Sequence, residues 1–125
     1  MEFTIPPNFG PPPHIHHRED EGFYLLDGEL TVTCADNTWS AGPGSFFMLP
    51  KGVPHSFVTW NTGPVRMLQI TSPAQFEQYA ADMGERAAQA VLPEPRAIDP
   101  EQVVRIGAKY GIEFLPPPTD RPPLA

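Results

Sequence analysis

Short apolar runs separated by turn-forming residues mark the first half of the chain. Gly22 to Leu26 is apolar, and Asp27-Gly28 behind it is a strong hairpin turn. Glu29 to Cys34 follows, with β-branched Thr31, Val32 and Thr33, and Ala35 to Thr38 reads as a second turn. Trp39 to Ala41 is a short strand, ended by Gly42-Pro43-Gly44. Ser45 to Leu49, His55 to Trp60 and Val65 to Thr71 continue the series, with turns at Pro50 to Pro54 and Asn61 to Pro64. Runs this short and this evenly spaced predict an all-β sandwich or barrel.

The period then changes. Ser72 is the expected helix cap, Pro73 suits the first helical position, and Gln75 stands three residues after Ser72. Phe76, Tyr79, Ala80 and Met83 follow at helical spacing. Leu92 to Pro95 reads as a linker. Asp99-Pro100-Glu101-Gln102 starts a second helix, continued by Val103, Val104, Ile106 and Ala108, with Gly111 as its stop. Ile112 to Leu115 is one last extended piece, and the proline-rich end (Pro116 to Pro118, Pro122, Pro123) is expected to be flexible or to lie on the surface. The expected organisation is a β region over residues 1–72 and a helical extension with its tail over 73–125, packed as one domain.

Composition narrows the function. The chain has 125 residues, 40% of them hydrophobic, enough for one modest core. Eight basic and fifteen acidic residues give a net charge of −7, which would repel a phosphate backbone, so no nucleic-acid partner is expected. Cys34 is the single cysteine, which excludes an intrachain disulfide and suits a reducing cytoplasm. No basic region leads into an apolar run at the N-terminus, and no apolar stretch is long enough to span a bilayer, so neither a signal peptide nor membrane insertion is expected.

Three of the four histidines are His14, His16 and His17. On a strand, His14 and His16 share a face, and His17 points the opposite way as a surface residue. Two imidazoles on one face with Glu21 close by form a candidate metal site. Simple alternation puts Glu21 on the wrong face, so a turn or bulge within His17 to Asp20 is expected to correct it. Glu19 and Asp20 are read as solvated, although either replaces Glu21 if the bulge falls differently. His55 begins a later strand that antiparallel pairing would bring beside the cluster.

The arrangement resembles the two motifs of the cupin family. In the first, Gly10 precedes His14-Ile15-His16, four residues lead to Glu21, and six more to Gly28. In the second, Gly44 is followed after five residues by Pro50-Lys51-Gly52 and after two more by His55. Two departures stand out. Three residues separate Gly10 from His14 where the family usually has five, and Thr59 replaces the family's Asn. Residues 8 to 72 carry the resemblance. The two helices and Tyr110-Gly111-Ile112-Glu113-Phe114 look, more loosely, like the extension of quercetin dioxygenase-like cupins.

The resemblance implies a mainly β fold, a cupin jelly-roll barrel with a C-terminal helical extension. It implies one divalent transition metal ion held by His14, His16, Glu21 and His55; mixed N/O ligands suit Fe, Mn, Co, Ni, Cu or Zn. It implies a metal-dependent dioxygenase acting on a small aromatic or enolic molecule, with Glu21 as ligand and general base. The alternatives are a polyketide cyclase or isomerase that works without dioxygen, and a non-catalytic small-molecule binder. Only thirteen residues precede His14, where the family usually has strands. Either the chain start is short or a partner chain completes the sheet, and a homodimer is expected.

Alternation from the ligands puts Phe23, Leu25, Phe57 and Thr59 inward toward a substrate pocket. For the remaining strands the register is open. Phe46, Met48, Met67 and Gln69 are the candidates on one face, and Phe47, Leu49, Leu68 and Ile70 on the other. Tyr24 points outward. An apolar pocket with few polar groups suits a flat aromatic ligand.

Overall fold

The computed structural model describes residues 1–94 and 96–116; Pro95 and the tail from residue 117 lie outside the described residues. Nine strands and two helices are described: β1 (Glu2–Ile5), β2 (His14–His16), β3 (Asp20–Asp27), β4 (Leu30–Cys34), β5 (Asn37–Ala41), β6 (Phe46–Leu49), β7 (His55–Thr59), β8 (Val65–Ser72), α1 (Phe76–Met83), α2 (Pro100–Lys109) and β9 (Ile112–Phe114). They form two antiparallel sheets, β1-β8-β3-β6 and β5-β4-β7-β2-β9. The protein is therefore mainly β, a cupin-like sandwich with short helices late in the chain. No helix among the described residues is long and apolar enough to cross a membrane.

The core lies between the sheets. Leu25, Leu30, Val32, Leu49, Val65 and Met67 fill it, each from the inward face of its strand. Along β8 the alternation is plain: Val65, Met67 and Gln69 are buried while Arg66, Leu68 and Ile70 are exposed. The outer face of the same sheet is also apolar, with Tyr24, Phe46, Met48, Leu68 and Ile70 exposed on neighbouring strands.

Three local expectations are corrected. The segment before His14 contains β1, which pairs along β8 from Glu2↔Leu68 to Ile5↔Val65. Ser72 does not cap a helix. It is held in the ladder opposite Asp20, so β8 runs on to Ser72 and α1 starts at Phe76 without a side-chain cap bond at Gln75. The turn after Cys34 is shorter than expected, because Asn37 and Thr38 already pair with Cys34 and Thr33. The second helix starts as its sequence indicates. Asp99 accepts from the Glu101 N–H at 3.0 Å, Pro100 occupies the first turn, and Gly111 follows at φ 70°.

The helices close one end of the sandwich. Asp82 on α1 accepts from Lys109 Nζ (2.9 Å) and from the Tyr110 hydroxyl (2.5 Å), tying α1 to the end of α2. From there β9 pairs with β2, setting Phe114 opposite His14 and Ile112 opposite His16.

Candidate metal centre

Three of the four candidate ligands stand on one sheet and the fourth on the other. His14 and His16 share the inward face of β2, and β7 sets His55 directly opposite His14. Glu21 reaches them from β3, across the sandwich. One ligating atom from each of the four lies within 4.8 Å of the others, and all four residues are buried. The turn or bulge expected within His17 to Asp20 is a bend at His17 and Arg18. Between His16 and Asp20 the chain leaves one sheet and enters the other, so alternation does not carry over from His16 to Glu21.

Turn chemistry aims these side chains. Gly52, at φ 81°, closes the Pro50-Lys51-Gly52 turn and donates its N–H to the His16 carbonyl at 2.8 Å, fixing the approach of β7 to β2. Gly10 passes so close to β7 that a Cβ there would stand 1.8 Å from the Phe57 carbonyl oxygen. Only glycine fits that approach, wherever the first motif's spacing places it.

Each imidazole is held from behind. Nδ1 of His14 lies 2.9 Å from the Pro12 carbonyl, that of His55 3.4 Å from the Val53 carbonyl, and that of His16 2.7 Å from Glu19 Oε1. Carbonyls and carboxylates only accept, so these partners place the proton on Nδ1 and leave Nε2 as a lone pair. His16 Nε2 and His55 Nε2 then face Glu21 Oε2 at 3.3 and 2.9 Å. The second distance is within hydrogen-bond reach, but in this tautomer the nitrogen has no proton to give. None of the three atoms has a hydrogen-bond partner among the described residues. Buried acceptors crowded together without a donor are unfavourable unless a cation sits among them. The donor set therefore fits one divalent metal ion, bound by three nitrogens and one oxygen.

The electrostatics agree. Burial holds His14 far below its ordinary pKa of 6.5, at about 4, and nearby His55 adds to the shift, so the ring is neutral and able to ligate at pH 7.

A chamber of about 210 Å³ opens onto the ligands. Phe23, Phe57, Met67 and Gln69 line it. The other four pocket candidates do not. Phe46 and Met48 are 52% and 56% exposed on the outer face of β6, because Phe47 and Leu49 take the inward positions. Leu25 is in the core rather than the chamber wall. Thr59 is buried at the end of β7, where its hydroxyl donates to the Pro6 carbonyl (2.7 Å) and accepts from the Phe9 N–H (2.9 Å).

Sequence reasoning missed much of the wall. Phe3, Ile5, Phe9 and Pro11 come from the N-terminal segment, Phe76 and Tyr79 from α1, and Ile112 and Phe114 from β9. Phe76 lies 5.6 Å from the His16 ring and Phe114 5.5 Å from the His14 ring, between ring centroids. The helical extension thus covers the metal centre. The Phe76–Tyr79 spacing was the available signal. Phe9, Pro11, Tyr79 and Phe114 also border a second apolar cavity of about 610 Å³ between α1 and α2. Glu19 was missed as well: read as solvated, it is 1% exposed and orients His16. His17 and Tyr24 are exposed as expected, His17 facing Glu113 at 2.7 Å.

Comparison with known proteins gives the same picture. The cupin domain family matches residues 1–71. Quercetin 2,3-dioxygenase of Bacillus subtilis is 25% identical over 93 residues, 74% of this chain but 27% of its own length. The chain thus spans about a quarter of that relative. Among solved structures, the polyketide cyclase RemF of Streptomyces resistomycificus is 33% identical with a TM-score of 0.51, covering 59% of this chain and 52% of that one. The protein TT1209 from Thermus thermophilus is 26% identical with a TM-score of 0.54, covering 58% and 69%. Two sheets, both motifs in place and a family match over more than half its length make this chain a member of the cupin family.

Proposed function

We propose that this protein is a metal-dependent cupin enzyme, a dioxygenase of the quercetinase type acting on a small aromatic or enolic substrate. One observation carries the reading: a complete set of four ligands stands at the base of a chamber whose other walls are almost wholly apolar. Such a chamber desolvates a flat ring while leaving its oxygen one polar destination. The likeness to quercetin 2,3-dioxygenase supports the choice of chemistry.

A redox-active divalent ion held there supplies Lewis acidity toward a substrate oxygen and the electron exchange that dioxygen requires. The chain does the rest. His14, His16 and His55 present Nε2 from rings held at Nδ1. Phe23, Phe57, Phe76 and Phe114 pack around the ring and exclude water. Glu21 would be the general base for the substrate hydroxyl, a role that needs some mobility of its carboxylate, and Gln69 Nε2 donates to its Oε1 at 2.5 Å.

The second reading is a polyketide cyclase, favoured by the 33% identity to RemF. Oxygen uptake with quercetin separates the two. Protein reconstituted in turn with iron, manganese, nickel, cobalt or copper should consume dioxygen, and zinc-loaded protein should not. Turnover of an enolic substrate under argon by the zinc form would establish the cyclase reading instead.

A further inference from the structure

Two apolar cavities meet beside the metal centre. The chamber on the ligands holds about 210 Å³. A cavity of about 150 Å³ suffices for benzene, and sites for larger organic ligands run from about 300 to 1,000 Å³. The chamber alone therefore takes one ring with small substituents. The second cavity, about 610 Å³, lies within the larger range. Four residues line both: Phe9 and Pro11 from the N-terminal segment, Tyr79 from α1 and Phe114 from β9. The separation is short. The Phe114 ring lies 5.5 Å from the His14 ring, and its Cε2 would stand 2.6 Å from a Cβ on Gly107 of α2. One aromatic ring thus spans from a candidate metal ligand to the helix that walls the second cavity.

The lining of the second cavity defines its occupant. No charged side chain lines it among the described residues, and Met83, Ile98, Val103, Val104 and Leu115 add to the shared aromatic and proline wall. Ile98 and Val104 are 53% and 54% exposed, so apolar surface there is left to water unless a ligand covers it. A hydrocarbon group gains by burial at such a wall, whereas a charged group finds no partner. We propose that the two cavities form one bipartite site: the chamber takes an oxygen-bearing ring at the metal, and the second cavity takes an uncharged apolar arm of the same molecule. The substrate class is then an aromatic or enolic head carrying a hydrocarbon arm of several carbons or a further ring. The inference rests on the metal-enzyme reading above and extends it from the head group to the whole molecule. Continuity with the chamber favours this occupant over the chain beyond Pro116 or a second copy, since four of the cavity's residues also wall the space where the ring binds.

The test uses catechol, 4-ethylcatechol and 4-hexylcatechol with zinc-loaded full-length protein. Calorimetric affinity in wild type should rise roughly 20- to 250-fold from ethyl to hexyl, up to about fourfold for each added methylene. The same probes are titrated into Val103→Trp and Val104→Trp, which fill the second cavity; position 104 is half exposed and accommodates the larger ring. There the gain from ethyl to hexyl should shrink to about fivefold or less. Catechol, which reaches only the chamber, reports whether the metal site is intact in each variant. Methyl NMR on wild type needs no substitution: the Ile98, Val103 and Val104 signals should move with 4-hexylcatechol and stay in place with catechol. Ethyl and hexyl probes of equal affinity in wild type would overturn the proposal and leave the cavity to another occupant. A gain undiminished in the variants, or methyl signals that do not move, would overturn it as well, because the arm would then lie elsewhere. Failure of the metal reading shows separately. Catechol that binds zinc-stripped wild type as tightly as the zinc form would sink the function proposed above, while the arm-length gain and the methyl shifts would still stand.

Discussion

The two sheets contribute opposite halves of the metal centre. The five-stranded sheet supplies three nitrogens, each ring locked by an acceptor behind it. The four-stranded sheet supplies one oxygen, from Glu21, with Gln69 beside it on β8. The nitrogen side is built by local sequence: His14 and Pro12, His16 and Glu19, His55 and Val53 are each two or three residues apart. The oxygen side is built by tertiary pairing, Glu21 to Gln69 across 48 positions. A motif therefore carries most of the histidine half, while the carboxylate half depends on the sandwich closing correctly.

The largest expected effect breaks the nitrogen side. Replacing His14, His16 or His55 by Ala removes one of four ligands and leaves the others aimed at a gap. Affinity should fall by more than about 100-fold, beyond the 10- to 100-fold typical of outer-shell changes. Elemental analysis should find about one equivalent of metal in wild type and little in each variant. A variant that keeps its full equivalent would remove that histidine from the ligand set.

Glu21→Gln breaks the oxygen side with two opposite signs. The metal-loaded protein should lose affinity, because a neutral amide oxygen replaces an anion. The metal-free protein should gain stability by about 1–3 kcal/mol, because a buried carboxylate facing lone pairs is replaced by a group that can donate to them. Melting temperatures with and without chelator check this. A substitution that destabilises both forms equally would mean that Glu21 is structural.

Much of this was legible before the fold was known, and the exceptions share a cause. The strands could be read because β-branched runs alternate with Gly, Pro and Asn turns. The ligand residues could be read because His14, His16, Glu21 and His55 keep motif spacing. Counting by two from His16 misplaces Glu21, and the turn expected between them corrects it by carrying the chain across the sandwich. Ser72 misled for a related reason: its capping chemistry is genuine, but pairing with Asp20 takes precedence. The chamber walls from β1, α1 and β9 come from distant parts of the chain, and local patterning says nothing of where they meet.

Glu19→Gln sharpens the nitrogen side without removing a ligand. It keeps the shape of the buried partner of His16 but lets an amide take the place of a carboxylate. Metal affinity should fall about tenfold, the low end for outer-shell changes, with the metal still bound at saturating concentration. Competition with a calibrated chelator measures it. An unchanged affinity would show that Glu19 is only a buried neighbour.

The metal-free protein should also lose stability in acid through His14. Its folded pKa of about 4 lies below the unfolded 6.5, so the unfolded chain binds the extra proton first. The contribution is complete above pH 6.5, declines as pH falls, and is gone near 4. Allowing for relaxation, it amounts to about 1–2 kcal/mol. Urea titrations at pH 7 and 5 should show the loss, and His14→Gln should reduce it. An equal loss in that variant would assign the pH dependence to other groups.

The smallest effect is expected on the outer face of the four-stranded sheet. Phe46, Phe47, Met48 and Leu49 are all apolar, so hydrophobicity alone does not reveal which pair points inward. The fold answers by pairing: Leu49, opposite Glu21, is buried in the core, and Met48, opposite Gly22, is exposed. Leu49→Ala should then cost about 2–5 kcal/mol through the cavity it leaves. Met48→Ser, one residue away, should change stability by no more than about 0.5 kcal/mol and leave metal content untouched. Chemical denaturation of the two variants side by side measures the contrast. Comparable losses would mean that the outer face is covered in solution, since an uncovered methionine has little packing to lose.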